Sequence, residues 1–528
     1  MASVSHRGSA TAAFTVNVKV DYGATGDGTT DDRAVIQAAI DLVSAAGGGT
    51  VYFPDGTYRL TRYSTTSYCL MLKDNVRILG ESQTGTILKQ AATIAASVRL
   101  FYTTGADKAT VSTITLDGNK DNNTTQEHRH GMFIDTGTNL LVENVTAQNF
   151  TGDGFYVYTG SEHLEFRSCT AKGNERNGIT FGAQCDDILV KGCTFNTNAV
   201  QQVDFEPAVS AIVSNVDIVG NTIDGTGSND YAIAIGGAAN DALSLADGIT
   251  ATGNTITGAA RMVWCKNVVF SGNTITNSTT KSSVEVYRHT ENIEVLNNSI
   301  DGTDTITSSI AGVLIQGTGV GDAPTNVTVK GNTITVDKSD QFGIRAEGCI
   351  SVYLEENDIT GAGVTSSLNS GIYVRATVEA EDFDIAVVKN NTIRNFGNFG
   401  VGIFGTGVSV INSLTVNENT IEDTSATPTI TTGIKLDDGL DVAQVVICID
   451  NDIASDITND IFFPSSFATL IGYTDEKAGI WIVPQSPNSF LTESPGAVAT
   501  LVSGGGTGAR TTNYKKDYGT GNTGWVTV

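Results

Sequence analysis

Along most of the chain one short hydrophobic phrase returns. A Gly is followed by apolar, any, apolar, any residue, as in Gly131-Met-Phe-Ile-Asp, Gly154-Phe-Tyr-Val-Tyr, Gly178-Ile-Thr-Phe-Gly, Gly312-Val-Leu-Ile-Gln, Gly343-Ile-Arg-Ala-Glu, Gly371-Ile-Tyr-Val-Arg and Gly433-Ile-Lys-Leu-Asp. Alternation over so short a run predicts a strand with inward and outward residues in turn. Between these phrases Asn-Thr-Ile, or a variant, begins at Asn144, Cys169, Cys193, Asn221, Asn254, Asn273, Asn298, Asn332, Asn357, Asn391, Asn419 and Asn451. The twelve starts lie 25, 24, 28, 33, 19, 25, 34, 25, 34, 28 and 32 residues apart, which means a fixed core with loops of varying length. A third short strand precedes each Asn, as in Val327-Thr-Val-Lys-Gly. Two or three strands per coil of about 24–30 residues predict an all-β parallel β-helix, each coil packing on its neighbours. Asn suits the sharp turn of each coil because it tolerates the left-handed backbone region. Stacked Asn amides can also bond from coil to coil, so the Asn-x-Thr triplets read as turn ladders rather than glycosylation sites.

The two ends differ. Thr15-Val-Asn-Val-Lys-Val reads as a strand, Asp21 to Asp32 as a Gly/Asp turn, and Asp31 or Asp32 as the cap of a helix through Leu42 with Val35, Ile36, Ala39 and Ile40 at helical spacing. Gly47-Gly-Gly-Thr-Val-Tyr-Phe-Pro returns as a strand. The helix is expected to cap the first coil and block end-to-end aggregation. The expected layout is a tail at 1–14, an N-terminal cap at 15–60, a β-helix of about 12 coils at 61–465, and a small C-terminal β extension or cap at 466–528.

The stretch GATGDGTTDD, the amphipathic helix and GGGTVYFPDGTY resemble the opening of the pectate-lyase-like right-handed β-helix superfamily. With the repeats, the resemblance covers roughly residues 15–465. It implies a right-handed solenoid and a polysaccharide partner. The group holds pectate-lyase-type enzymes, alginate C5-epimerases and viral tailspikes. The C-terminal Gly521-Asn-Thr-Gly-Trp resembles segments of phage tail-associated proteins.

Charge narrows the partners. The formal net charge of −26 repels phosphate backbones, so nucleic acid is not expected. No run of 18 apolar residues predicts a membrane span, and no secretory signal is visible at residues 1–20. The seven Cys show no metal-ligand spacing; Cys169 and Cys193 are expected to stack as free thiols, and neither metal nor cofactor is expected.

Stacking the Gly-led strands aligns their outward residues. One column reads Phe133, Tyr156, Thr180, Asp204, then Glu285, Leu314, Arg345, Tyr373, Phe404 and Lys435; the next reads Asp135, Tyr158, Gly182, Glu206, then Tyr287, Gln316, Glu347, Arg375, Thr406 and Asp437. Rings offer flat apolar surface to sugar C–H groups, and charged groups bond hydroxyls. Asp135, Tyr156, Tyr158, Tyr287, Arg345, Tyr373 and Arg375 are therefore the candidate sugar-binding residues. In Gln202-Val-Asp-Phe-Glu-Pro, Asp204 and Glu206 project together and are the candidate acid and base, with Asp153 as a third carboxylate.

The resemblance to alginate epimerases does not carry their chemistry. Asp153 stands where those enzymes have Tyr, Tyr156 and Tyr158 replace the catalytic Asp and His, and Gly182 stands where a second Asp is expected. Three readings stay open at this point. One is a phage-like tailspike or tail-associated homotrimer that binds and degrades polysaccharide. Another is a secreted lyase or glycoside hydrolase. The third is a non-catalytic fibre or adhesin. The expected setting is a virion tail or the extracellular space.

Overall fold

A computed structural model describes residues 14–462 apart from 65–66, 93–96, 229–230, 238–244, 278–279, 303–309, 338–340, 364–368, 378–382, 406–409, 425–428, 438–440, 450, 455–456 and 458; beyond 462 it describes only the strands Leu470–Thr474, Ala478–Ile482, Val498–Ser503, Arg510–Lys516 and Trp525–Thr527. The Gly-rich segments at 504 and 521, Thr406 and most of the tail at 1–14 lie outside the described residues. The chain forms a parallel β-solenoid of about 13 turns. It divides into two compact units: Met1–Ile233 with Leu243–Ala246, and Ala234–Ala242 with Asp247–Val528.

In the first unit the Gly-led strands pile up in register. Phe101, Met132, Phe155, Ile179 and Val203 occupy one inward column and are all fully buried. Tyr102, Phe133, Tyr156, Thr180 and Asp204 form the adjacent outward column. The helix Arg33–Ala45 buries Ile36, Ala39, Ile40 and Val43, the stripe its spacing predicts. Asp32 holds the N-cap position, but its carboxylate makes no cap bond. It turns instead to the backbone N–H groups of Thr25 (2.7 Å) and Gly26 (3.0 Å), tying down the Gly/Asp turn.

The repeat phrase forms the expected amide ladder, but its sharp turn falls on a different residue from the one expected. The left-handed residue is not the ladder Asn but the one before it: Gly220, Gly253, Gly272, Asn297, Gly331, Glu356, Asn390 and Glu418 all have φ between 52° and 67°. In the coil of Asn144 the alignment moves by one, because Asn144 itself is left-handed (φ 53°) and the buried Val145 takes the ladder place. The ladder Asn points inward and bonds the next coil. In the second unit this chain is continuous. Asn254, Asn273, Asn298, Asn332, Asn357 and Asn391 each give an amide N–H to the Oδ1 of the following ladder Asn at 2.9–3.0 Å. Asn419 does the same to Asn451 at 2.9 Å. In the first unit thiols take two rungs: the Cys169 N–H donates to Cys193 Sγ (3.3 Å), and the Cys193 N–H to Asn221 Oδ1 (2.8 Å). The six described cysteines are free and buried.

The Gly of one phrase and the Ile of the other interlock. A Cβ on Gly312, Gly343, Gly371 or Gly400 would lie 2.2–2.5 Å from the Cγ2 of Ile334, Ile359, Ile393 or Ile421 respectively. Only a residue without a side chain leaves room for that buried methyl group. Gly371→Ala is expected to cost about 1–3 kcal/mol through overpacking, read as a lower urea midpoint with the parallel fold retained by circular dichroism.

One column of the second unit reads Arg261, Glu285, Leu314, Arg345, Tyr373, Gly402 and Lys435; its neighbour reads Tyr287, Gln316, Glu347, Arg375 and Phe404. Phe404 therefore sits opposite Arg375, not Tyr373 as expected. The cause is a two-residue shift: the strand's leading Gly is Gly400 rather than Gly402, so Gly400-Val-Gly-Ile-Phe places Gly402 in the outward column ahead of Phe404. Beyond the parallel coils, Leu470–Thr474 pairs antiparallel with Ala478–Ile482 and Val498–Ser503, followed by Arg510–Lys516 and Trp525–Thr527.

Candidate functional site

In the first unit, in-register stacking turns single aromatic positions into a continuous ring ladder. Tyr63, Tyr68, Tyr102, Phe133 and Tyr156 follow one another with centroid separations of 5.9, 5.5, 5.7 and 5.3 Å. Tyr158 lies 5.3 Å from Phe133. The Arg99 guanidinium covers Phe133 at 4.6 Å, and the Tyr102 hydroxyl donates to Asp135 (3.0 Å). Tyr63, Tyr68, Tyr102 and Arg99 were not anticipated. Tyr68, Tyr102 and Arg99 lie on Tyr68–Met71 and Arg99–Thr104, strands without the leading Gly that marks the later coils, and Tyr63 precedes the first of them, so only the folded chain reveals them.

The ladder meets a carboxylate cluster. Asp204 pairs with Thr180 and Glu206 with Gly182 across neighbouring strands. Asp204 is buried, and Asn177 donates to it at 2.9 Å. Burial, then the adjacent Glu206 within hydrogen-bonding reach, then Asp153, push the Asp204 carboxyl well above the ordinary carboxylate range. Asp204 thus holds its proton to a higher pH than an ordinary carboxyl does. Glu206 is the more accessible member and is held by Arg176 at 2.8 Å. Arg176 also reaches Glu127 (3.0 Å) and Asp153 (3.8 Å). Burial alone would lower its pKa, but Asp153, Glu206 and Glu127 outweigh that and raise it.

A second ladder underlies the cluster. His130, Asp153, Asn177 and Gln201 occupy one place in successive coils, just ahead of each strand. The Asp153 N–H donates to His130 Nδ1 (3.1 Å), the Asn177 N–H to Asp153 Oδ1 (2.8 Å), and the Gln201 N–H to Asn177 Oδ1 (2.9 Å). Asp153 Oδ2 also lies 3.2 Å from His130 Nδ1. A ring nitrogen that accepts an N–H is not protonated, and burial lowers the His130 pKa, so this approach is not an ion pair. Asp153 is fully buried and reaches the surface only through its neighbours. The polar residue before each Gly was the available sequence signal for this ladder.

Gly182 gives the site its shape. A Cβ there would fall 2.4 Å from the Tyr156 hydroxyl, so the ring leans across the glycine toward Glu206. Burial, then Glu206 and Asp153, raise the Tyr156 phenol above its usual range, so it stays a neutral donor. Gly182→Ala is expected to displace that ring without unfolding, read as a changed near-ultraviolet circular dichroism signal with the far-ultraviolet spectrum retained.

In the second unit, Arg345 bonds both Glu347 oxygens at 3.0 Å, and Arg375 lies 3.7 Å from Glu347. Tyr287 lies beneath Arg261 (4.5 Å) and Tyr373 stacks on Phe404 (4.7 Å). The sequence candidates thus fall into two groups: Asp135, Asp153, Tyr156, Tyr158, Asp204 and Glu206 in the first unit, and Tyr287, Arg345, Tyr373 and Arg375 in the second. Among the described residues no group of three or more His, Cys, Asp or Glu is placed to hold a metal ion. No helix there is long and apolar enough to cross a membrane.

A solenoid with a ring-lined, carboxylate-bearing outer face defines a class, and comparison with known proteins agrees. Residues 15–107 match the family model described as rhamnogalacturonase A/epimerase, pectate lyase-like, and residues 99–256 match the right handed beta helix region. Together these matches span residues 15–256 and are consistent with the pectate-lyase-like right-handed β-helix superfamily. Among curated proteins, mannuronan C5-epimerase AlgE4 of Azotobacter vinelandii is 37% identical over 185 residues, 33% of each chain. Mannuronan C5-epimerase AlgE1 of the same organism is 34% identical over 190 residues, 34% of this chain and 13% of that protein. The chain spans a third or less of the length of these relatives. Among solved structures, the AlgE4 A-module of Azotobacter vinelandii superposes with a TM-score of 0.50 at 26% identity, covering 68% of this chain and 96% of the module. PfbA, a surface adhesin of Streptococcus pneumoniae, shares the fold with a TM-score of 0.52 at 17% identity, covering 72% and 93%.

Proposed function

We propose that this chain binds a polysaccharide along the ring ladder of its first unit and hydrolyses it with the proton shared by Asp204 and Glu206, as a tail-associated protein of a phage-like particle. The observation that carries this reading is a buried, proton-retaining carboxyl beside an accessible carboxylate, at the end of a stack of rings. Tyr156, Tyr158 and Asp135 would hold the sugar. Glu206 would deliver the shared proton to the glycosidic oxygen as the C–O bond breaks and its electron pair goes to that oxygen. Water then adds its hydroxide to the sugar carbon, and its remaining proton returns to the pair. Asp204 would act as the reservoir and Asp153 as a positioning residue through Arg176. Epimerisation is not carried over from the relatives, because Tyr156 and Tyr158 stand at the positions that matter. A homotrimer goes with the tail-associated setting, and sedimentation equilibrium tests it. The helix Arg33–Ala45 would serve as the N-terminal cap, and the antiparallel strands after residue 466 as the C-terminal extension.

One observation favours binding without turnover. Asp204 is buried and Glu206 is held by Arg176 at 2.8 Å, so neither carboxyl stands free to face a glycosidic bond. The deciding experiment is release of reducing ends from a panel of surface polysaccharides, alongside a glycan array. Cleavage abolished by Glu206→Gln supports the hydrolase. Array binding with no cleavage by the unmodified chain leaves a carbohydrate-binding fibre. Ultraviolet-absorbing unsaturated ends would mean a lyase instead.

A further inference from the structure

The outward face of the second unit differs in kind from that of the first. Its described coils between Phe342 and Asp437 gather Arg345, Arg375 and Lys435 against Glu347 and Asp437. This is a local excess of positive charge on a chain of net charge −26. The carboxylate that balances Arg345, Glu347, is the buried partner, its side chain 7% exposed against 36% for Arg375. Arg345 and Arg375 therefore face solvent more than Glu347 does, while Lys435 lies 4.0 Å from Asp437, with side chains 27% and 35% exposed.

Rings are built into the same patch. Phe404 stacks on Tyr373 with centroids 4.7 Å apart and planes at 22°. The Lys435 ammonium sits 4.9 Å from the Phe399 centroid and 5.5 Å from that of Phe404. Gly402 makes this possible. A Cβ there would meet the Phe404 ring at 2.5 Å, so the glycine is the notch that lets the ring lie flat over the column. The Gly182 notch under Tyr156 is the same device. Two cations flank a flattened ring, while the first unit offers carboxylates beside its rings.

We propose that Arg375, Lys435 and Phe404 form a second carbohydrate site, non-catalytic and selective for a sugar that carries a negatively charged substituent. The pyranose face would lie on Phe404, and its carboxylate or sulfate would bridge the guanidinium and the ammonium. The buried carboxylate of this patch, Glu347, is taken up by Arg345 and Arg375, which suits holding the chain rather than cutting it. Charge complementarity carries the choice of ligand: the rest of the chain repels an anionic glycan at long range, and this patch is where local cations reverse the sign. The site borrows from the reading above only the ligand's general class, carbohydrate.

The test is calorimetric titration of the full chain carrying Glu206→Gln, so that nothing is consumed. The probes are hexamers of galacturonate and mannuronate, a heparin hexasaccharide, and the carboxyl-reduced form of each uronate hexamer. At least one acidic hexamer should bind, about tenfold or more above its carboxyl-reduced form where a carboxylate is read, and more weakly as salt rises. Preference for the heparin probe over both uronates would assign the site to sulfate. Arg375→Gln and Lys435→Gln should each lower that affinity about tenfold, and Lys435→Arg should restore most of it. The proposal is overturned if reduced hexamers bind as tightly as the acidic ones, if no acidic probe binds, or if the Gln variants bind undiminished. Cleavage in the first unit is a separate readout: absence of reducing-end release by the unmodified chain would overturn the hydrolase reading and leave acidic-hexamer binding at this site standing.

Discussion

Glu206→Gln is expected to lower reducing-end release by about 10²–10⁴-fold, with glycan affinity held within a few-fold. Gln keeps the shape and the contact with Arg176 but cannot pass a proton. Asp204→Asn should behave differently. Burial and Glu206 hold the Asp204 carboxyl above its ordinary range, so the shared proton survives to a pH at which a free carboxylic acid has lost it. Activity that needs the proton is present below that raised value and lost above it. Replacing Asp204 by a neutral amide donor favours ionised Glu206, so the alkaline limb of the pH–rate profile should move to lower pH. Stability should move the opposite way. A carboxyl whose pKa is raised by folding stabilises the fold at low pH, and that contribution disappears as pH rises through the raised value. Asp204→Asn should therefore be more stable than the unmodified chain in alkaline buffer, with the advantage vanishing in acid. Urea melts at several pH values measure this. Superimposable pH–rate profiles for the two chains would remove Asp204 from the mechanism.

Asn332→Ala should destabilise the second unit by about 3–5 kcal/mol. Its side chain accepts the Asn298 backbone N–H (2.9 Å) and amide (2.9 Å), and donates to Val295 O (2.8 Å) and Asn357 Oδ1 (3.0 Å). The ladder is buried, so truncation strands two or three polar groups at roughly 1–3 kcal/mol each. Asn292 is the control. It belongs to a parallel amide row, Asn267 to Asn292 to Asn326, but that row is exposed and water replaces what is lost. Asn292 is also left-handed (φ 55°), so Gly is the substitution that removes the amide without straining the backbone. Asn292→Gly should shift stability by less than about 1 kcal/mol. Equal losses at the two positions would mean that burial of the inner row is not what makes it matter. Hydrogen exchange along the coils suits the measurement, because solenoids need not unfold in one step.

The alternation of apolar and polar residues, the Gly-led phrase and the Asn-Thr-Ile repeat were enough to determine coil, inward face and outward column. A side-chain period of two admits one assignment once one face must be buried. The same pattern located Tyr156, Tyr158, Asp204 and Glu206 on the outer face. Which residue takes the left-handed turn was not legible, because Gly, Asn and Glu all fill that place and only the backbone shows that it precedes the ladder Asn. Nor was the two-residue shift that sets Phe404 beside Arg375, since Gly402 reads as the leading Gly of the strand until Gly400 is seen to take that place and the missing Cβ of Gly402 to make room for a ring. The tertiary structure alone joined Arg176 to Glu206, Asp153 and Glu127 and buried Asp204 beside Glu206. The Arg176 contacts cross between coils, 23 to 49 residues apart in the chain, and the chemistry of Asp204 depends on local burial, which a string of residue types does not carry.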